Sequence, residues 1–172
     1  MKLLVDLKSV DKLENYQADG LIFSDPYFSC AYDTCFSEDE VKRIVAYCQH
    51  KGILALANID RIIEEAELEQ LYRKLDFYIN LGVDYFFFSD YAVLKYFLDR
   101  NLAKKLIYDP KTLITNFEDT QFYKDLGLLV TVSNELSLDE IKAIVEVGNC
   151  TFDLYGYHQM FYSRRPLLST FA

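Results

Sequence analysis

The sequence predicts an α/β fold, an incomplete (β/α) TIM-like barrel of about seven parallel strands. Three observations predict it. Apolar runs rich in branched and aromatic residues alternate along the chain with segments of helical period, as repeated strand and helix. Gly52, Gly82, Gly127 and Gly148 each fall at a helix-to-strand joint, where a helix commonly stops. The run Leu128 to Val132 is almost continuously apolar, which indicates burial on both faces and hence a parallel sheet.

The elements follow in order. Strands are expected at 2–6 (KLLVD), 20–24 (GLIFS), 53–59 (ILALANI), 83–89 (VDYFFFS), 106–109 (LIYD), 128–133 (LLVTVS) and 150–155 (CTFDLY). Helices are expected near 10–17, 37–50, 62–80, 91–103, 117–125 and 137–147. Segment 37–50 opens on Ser37 with Glu40 three residues later, a capping box, and sets Val41, Ile44, Val45 and Cys48 on one face. Segment 137–147 repeats the device with Ser137 and Glu140, and its stripe of Leu138, Ile141, Ile144 and Val145 is expected to lie against the sheet. An open doubly wound sheet fits the same order of elements. A complete barrel runs to about 250 residues, whereas this chain has 172. Residues 1–172 are therefore expected to form a single barrel-like domain lacking a C-terminal part, or one whose open edge another chain covers.

Composition narrows the function. Lys and Arg number 18 against 27 Asp and Glu, a net charge of −9, which repels phosphate backbones and anionic lipid. RNA contact is thus expected only through a partner. No apolar stretch approaches the roughly 18 to 20 residues a membrane span needs, and the N-terminus carries charge inside its apolar run, unlike a secretory signal. The expected location is the cytoplasm. Cys30, Cys35, Cys48 and Cys150 form no CxxC pair and are expected as reduced thiols with packing roles.

In either architecture the functional face lies at the carboxyl ends of the strands. Those ends carry Asp6, Ser24, Asp25, Asn58, Asp60, Ser89, Asp90, Asp109, Ser133, Asn134, Glu135, Tyr155 and His158. Helix capping accounts for most Ser, Asp and Asn at such places. Asn58 and Glu135 are the least cap-like. His50 suits the negative end of its helix dipole, while His158 lies on the functional side. With two histidines, a three-histidine zinc site is impossible, and there is no HExxH, GxSxG, Walker or GxGxxG motif. The acidic run Glu64, Glu65, Glu67 and Glu69 reads as a solvated helix start, and Tyr85 to Phe88 as core. Arg164 and Arg165 form a local cationic pair able to hold a phosphate or carboxylate.

Several segments, taken together, resemble one known family. TNFEDTQFYKDLG, LLVTVSNELSLDEIKAI and FDLYGYHQMFYSRRPLLS, preceded more weakly by HKGILALANI and LGVDYFFFSDYAVLK, are similar in order and spacing to the collagenase-like peptidase family, U32. The family signature sets His-Gly before one cysteine and Gly-x-Cys after it, closing on Leu-Leu-Ser. Here Tyr155 and Gly156 stand at the His-Gly positions, Gln159 at the first cysteine, Arg164 at the second glycine and Pro166 at the second cysteine, while Leu167, Leu168 and Ser169 match. Cysteine-bearing members are understood to hold an iron-sulfur cluster and to hydroxylate uridine or cytidine in RNA. A cluster requires thiolates, so the resemblance implies a cluster-free chain without a cofactor. Asn58, Asp90, Asn116 and Glu135 fall on positions typical of the family, whereas Asn134 replaces an arginine and Asp109, Pro110 and Lys111 replace a Ser-Thr-Gln stretch.

The resemblance implies a peptidase-family protein serving as accessory subunit in tRNA uridine hydroxylation, paired with a cysteine-bearing paralogue or with itself. The alternative is an independent peptidase or other hydrolase on the same scaffold, with Asp90, Glu135 and His158 as catalytic groups. Asn58, Asn116, Tyr155, Arg164 and Arg165 are the expected substrate-binding residues. A module binding a small anion through the two arginines is a third reading.

Overall fold

The computed structural model describes residues 1–30 and 34–156. Seven strands form one parallel sheet in chain order: β1 (Leu4–Asp6), β2 (Gly20–Ser24), β3 (Leu54–Ile59), β4 (Tyr85–Phe88), β5 (Leu106–Tyr108), β6 (Leu129–Thr131) and β7 (Cys150–Thr151). Each strand pairs with the next, and β1 and β7 are the two edges. The order without reversal is that of a curled half-barrel and excludes the doubly wound sheet. Five helices lie between the strands: α1 (Glu38–Lys51), α2 (Leu68–Leu81), α3 (Tyr91–Leu98), α4 (Phe117–Asp125) and α5 (Leu138–Val145).

Strand alternation divides the apolar residues between two layers. Leu21, Phe23, Ala55, Ala57, Ile59, Phe86, Phe88 and Val130 face the helices and join Val41, Ile44, Leu71, Leu75, Tyr78, Val93 and Phe97 in the main core. The opposite, concave face holds a smaller cluster of Leu56, Phe87 and Ile107, packed by Leu4, Ile22 and Leu54. At Gly20 the chain passes under that inner cluster. A Cβ there meets Leu4 Cδ2 and Leu56 Cδ1 at 2.8 Å and Leu54 Cβ at 3.0 Å. Gly20→Ala is expected to lose about 1 to 3 kcal/mol by overpacking, read as a lower urea midpoint with an unchanged slope.

The helix ends behave as their sequences dictate. Ser37 and Ser137 each complete a capping box with Glu40 and Glu140. Gly52 and Gly82 end α1 and α2 with φ of 68° and 96°, a left-handed turn that suits glycine.

Three expectations need correction. Residues 10–17 form a 3-10 turn over Val10–Asn15, with a kink at Lys12, where an α-helix was expected. The expected helix over 62–80 starts late, because Glu65–Glu67 is a separate 3-10 turn. Glu67 is buried there against Arg61, at 3.0 Å, and is no part of a solvated face. Along α5 only Ile144 is buried, while Leu138 and Val145 stand exposed.

Candidate functional site

Because all strands run parallel, every helix begins on the rim where the strands end, and the described polar residues among those singled out above converge there. Most of them are engaged in holding the rim together. Asp90 caps α3, its Oδ1 accepting from the Ala92 amide at 2.8 Å, while its Oδ2 accepts from the Ile63 amide at 2.9 Å and so ties the loop after β3 to α3. Asn116 caps α4 by accepting from the Asp119 amide at 3.0 Å. Ser133 is fully buried, and its hydroxyl accepts from the Glu135 amide at 3.2 Å.

Asn58 lies on the inner face, in register with Ser24 on one side and Phe87 on the other. Its Oδ1 is buried without a hydrogen-bond partner. The Glu135 side chain is exposed, as is Tyr155. The structure thus sets Asp90 and Asn116 into helix caps, Asn58 inside the barrel mouth, and Glu135 and Tyr155 toward solvent. His158, Arg164 and Arg165, with Gln159 and Pro166, lie outside the described residues.

A constellation that spacing does not announce sits in the same mouth. The Lys111 ammonium bridges Asp109 Oδ2 at 2.6 Å and Asp60 Oδ2 at 3.0 Å, joining the ends of β3 and β5. Asp60 Oδ1 in turn accepts from the Cys30 amide at 2.7 Å, which fastens the loop after β2. Burial pushes the Asp109 carboxyl above its usual range, the Lys111 charge draws it back in part, and Asp60 and Asp153 push it further up. Burial disfavours the Lys111 ammonium, but the carboxylates of Asp60 and Asp109 outweigh that and raise its pKa. The group is therefore a closed ion triad at neutral pH, with Lys111 held in a left-handed turn at φ 66°. Its sequence signal was three charges at the ends of two apolar strands, 49 residues apart between Asp60 and Asp109.

Beside it, Arg61 packs over the Tyr27 ring at 4.6 Å and the Phe28 ring at 5.5 Å while pairing with buried Glu67. Asp25, fully buried, accepts from the amides of Tyr27 and Phe28 at 2.7 Å and from the Tyr78 hydroxyl at 2.6 Å. The loops after β2 and β3 are thereby pinned into one rigid unit.

Neither Cys30 nor Cys48 is poised as a nucleophile. Burial, with the Asp60 carboxylate, pushes the Cys30 thiol up to about 12, and burial with Asp84 does the same to Cys48. Such thiols are protonated and inert at neutral pH. Cys35 is exposed, and Cys150 lies half-buried in β7. Among the described residues no group of three or more His, Cys, Asp or Glu is placed to hold a metal ion. Cys30 and Cys35 share the loop after β2 while Cys48 lies in α1 and Cys150 in β7, and with no cluster of ligands among them the described residues do not fit an iron-sulfur cluster. Two clefts of 230 and 160 Å³ border the α4 and α5 starts, the smaller lined by Ser133, Asn134, Leu138, Phe152, Asp153 and Leu154. Both fall below the roughly 300 Å³ of ordinary small-molecule pockets. No described helix is long and apolar enough to cross a membrane.

Comparison with known proteins agrees with this architecture. The chain is 22% identical over 139 residues to the 23S rRNA 5-hydroxycytidine C2501 synthase of Escherichia coli, covering 80% of this chain and 21% of that protein. It is 26% identical over 139 residues to tRNA hydroxylation protein P2 of Bacillus subtilis, covering 79% and 45%. The chain thus spans less than half the length of either relative. The solved U32 peptidase Mk0906 shares the fold with a TM-score of 0.64 and 19% identity, covering 88% of this chain and 67% of that one. The family model for peptidase family U32 matches residues 5–172, and the chain belongs to that family.

Proposed function

We propose that this protein is a cytoplasmic, cluster-free accessory subunit in tRNA uridine hydroxylation, acting beside a cysteine-bearing paralogue that meets the RNA. The observation that carries the reading is the pair Gln159 and Pro166 at the two positions where the family signature has cysteine, since neither side chain supplies a thiolate. The internal use of the rim's polar groups supports it. Asp90, Asn116 and the Asp60–Lys111–Asp109 triad are occupied in holding loops, which suits a scaffold better than a general acid or base free to meet a substrate. Glu135 and Tyr155 are then contact groups toward the partner, with Arg164 and Arg165 following nine and ten residues after Tyr155. A net charge of −9 agrees with RNA being met by the partner.

The test is affinity purification of the full chain from its own cells, together with nucleoside mass spectrometry of tRNA from a deletion strain. A stoichiometric cysteine-bearing paralogue and lost 5-hydroxyuridine derivatives are the expected results. A protein that purifies alone and whose deletion leaves tRNA uridines unchanged overturns the reading.

A further inference from the structure

Exposed apolar side chains are distributed unevenly over this protein. Ile62, Tyr91, Leu113, Phe117, Leu138 and Leu154 are 50 to 69% exposed, and each lies in a strand-to-helix connection, in a helix's first position or just past a strand end, all on the rim where the strands end. They come from five successive connections, after β3, β4, β5, β6 and β7. At the opposite, helix-terminal end, Leu98, Leu126 and Val145 are 36 to 38% exposed, and Leu3, just before β1, is 48% exposed beside the first residue, Met1. Phe122, on the flank of α4, is the other strongly exposed ring of that helix. Apolar side chains scattered singly over a surface mean nothing, whereas a set drawn to one face marks an interaction site.

The same rim carries a definite charge. Each helix starts there, and the first turns hold Glu38, Asp39 and Glu40 in α1, Glu118 and Asp119 in α4, and Asp139 and Glu140 in α5. Lys42 and Lys142 pair with Asp39 and Asp139, and Lys74 reaches Glu38, which leaves the rim acidic among the described residues. Among the described residues, the mouth cations Arg61 and Lys111 are already paired internally with Glu67 and with Asp60 and Asp109. An apolar rim set among carboxylates repels a phosphate backbone and attracts a surface with the reverse pattern.

We infer that this rim is the docking surface for a protein partner that presents an apolar patch ringed by Lys and Arg. The inference deepens the proposed function and rests on it for the partner's identity, since it assigns the surface that receives the paralogue. Tyr91 and Leu138 are its central anchors, at the first positions of α3 and α5; Tyr91 also touches the Tyr108 ring and its hydroxyl meets that of Tyr123 at 3.3 Å, so melts of the variants also read any loss of packing there.

The experiment measures binding of the purified cysteine-bearing paralogue to the full chain, to Tyr91→Ala/Leu138→Ala, and to Phe122→Ala/Leu126→Ala as a control away from the rim. Circular dichroism melts verify that each variant is folded. The rim pair is expected to weaken binding about tenfold or more while the control changes it less than about twofold. Binding of the wild type is expected to weaken severalfold between about 50 and 500 mM salt. A paralogue that binds the rim variant as well as the wild type overturns the docking surface and leaves the accessory function standing. A paralogue that does not bind at all overturns the accessory function, and the rim is then judged with a synthetic amphipathic Leu/Lys helix against its Leu/Glu counterpart. Preference for the basic peptide, lost in the rim variant, supports the surface, and equal or absent binding overturns it. Binding of a tRNA transcript that the rim variant abolishes, or a homodimer that it dissolves, overturns it as well.

Discussion

Replacing Lys111 by methionine is expected to destabilise the fold by about 3 to 5 kcal/mol, the usual result of removing one partner from a buried ionic group. Methionine matches the length of the stem but leaves Asp60 and Asp109, 3% and 13% exposed at their side chains, facing each other without a cation. The deficit is expected to depend on pH with a definite sign. Asp109 is already raised above the ordinary carboxylate value of 3.8 by burial, so the folded state holds its proton more tightly than the unfolded chain. A group raised in this way stabilises most below its unfolded pKa, and that contribution is lost as pH rises through the folded value. The variant is therefore most nearly normal near pH 4 and weakest at neutral pH, whereas Lys111 in the wild type keeps its contribution until the pH exceeds the ordinary lysine range. Urea unfolding at several pH values reads both curves. The triple variant Asp60→Asn/Lys111→Met/Asp109→Asn is expected to recover most of the loss, because it removes the charges together. If Lys111→Met unfolds like the wild type at neutral pH, the triad is not structural.

The fold was legible because its signals are local. Each strand is a short apolar run, each capping box spans four residues, and Gly52 and Gly82 mark turns by their own backbone preference. Ser37 and Ser137 cap as their spacing dictates, and Asp90 and Asn116 cap the starts of α3 and α4. What remained hidden depends on distant partners. Glu67 belongs by position to an acidic helix start, yet Arg61 and the Tyr27 hydroxyl draw it inward and break the helix into a 3-10 turn and α2. The Asp60–Lys111–Asp109 triad has no local pattern, since strand pairing through β4 is what brings the ends of β3 and β5 together. Periodicity sets Leu138, Ile141, Ile144 and Val145 on one face of α5 but says nothing of what covers it, and only Ile144 is buried. Leu138 on the rim is where that reading failed, and it is also where the docking surface begins.

The second large effect is expected at Asp25, which sequence alone offers as one more polar residue at a strand end. Its carboxylate is fully buried and accepts three hydrogen bonds, from the amides of Tyr27 and Phe28 and from the Tyr78 hydroxyl of α2. Asp25→Ala leaves all three donors without their acceptor, two of them in buried hydrogen bonds, and hydrogen bonds to charged groups contribute about 1.5 to 3 kcal/mol each when their partners are left unpaired. A loss of about 3 to 5 kcal/mol follows once partial relaxation of the loop is allowed. Asp25→Asn keeps one oxygen for the two amides, and its NH2 can donate to a rotated Tyr78 hydroxyl, so its loss is expected near 1 to 2 kcal/mol. Tyr78→Phe is expected to fall in the same range, since it leaves Oδ2 unpaired but the loop intact. Asp25 and Tyr78 touch, so a double-mutant cycle of the two conservative changes should show coupling of about 1 kcal/mol or more. Hydrogen exchange separates this anchor from general destabilisation. In Asp25→Asn the amides of Tyr27 and Phe28 are expected to exchange faster than those of β4 under conditions where the whole protein stays folded. Uniform acceleration across the sheet instead places the effect on global stability and removes Asp25 as the pin of the β2 loop.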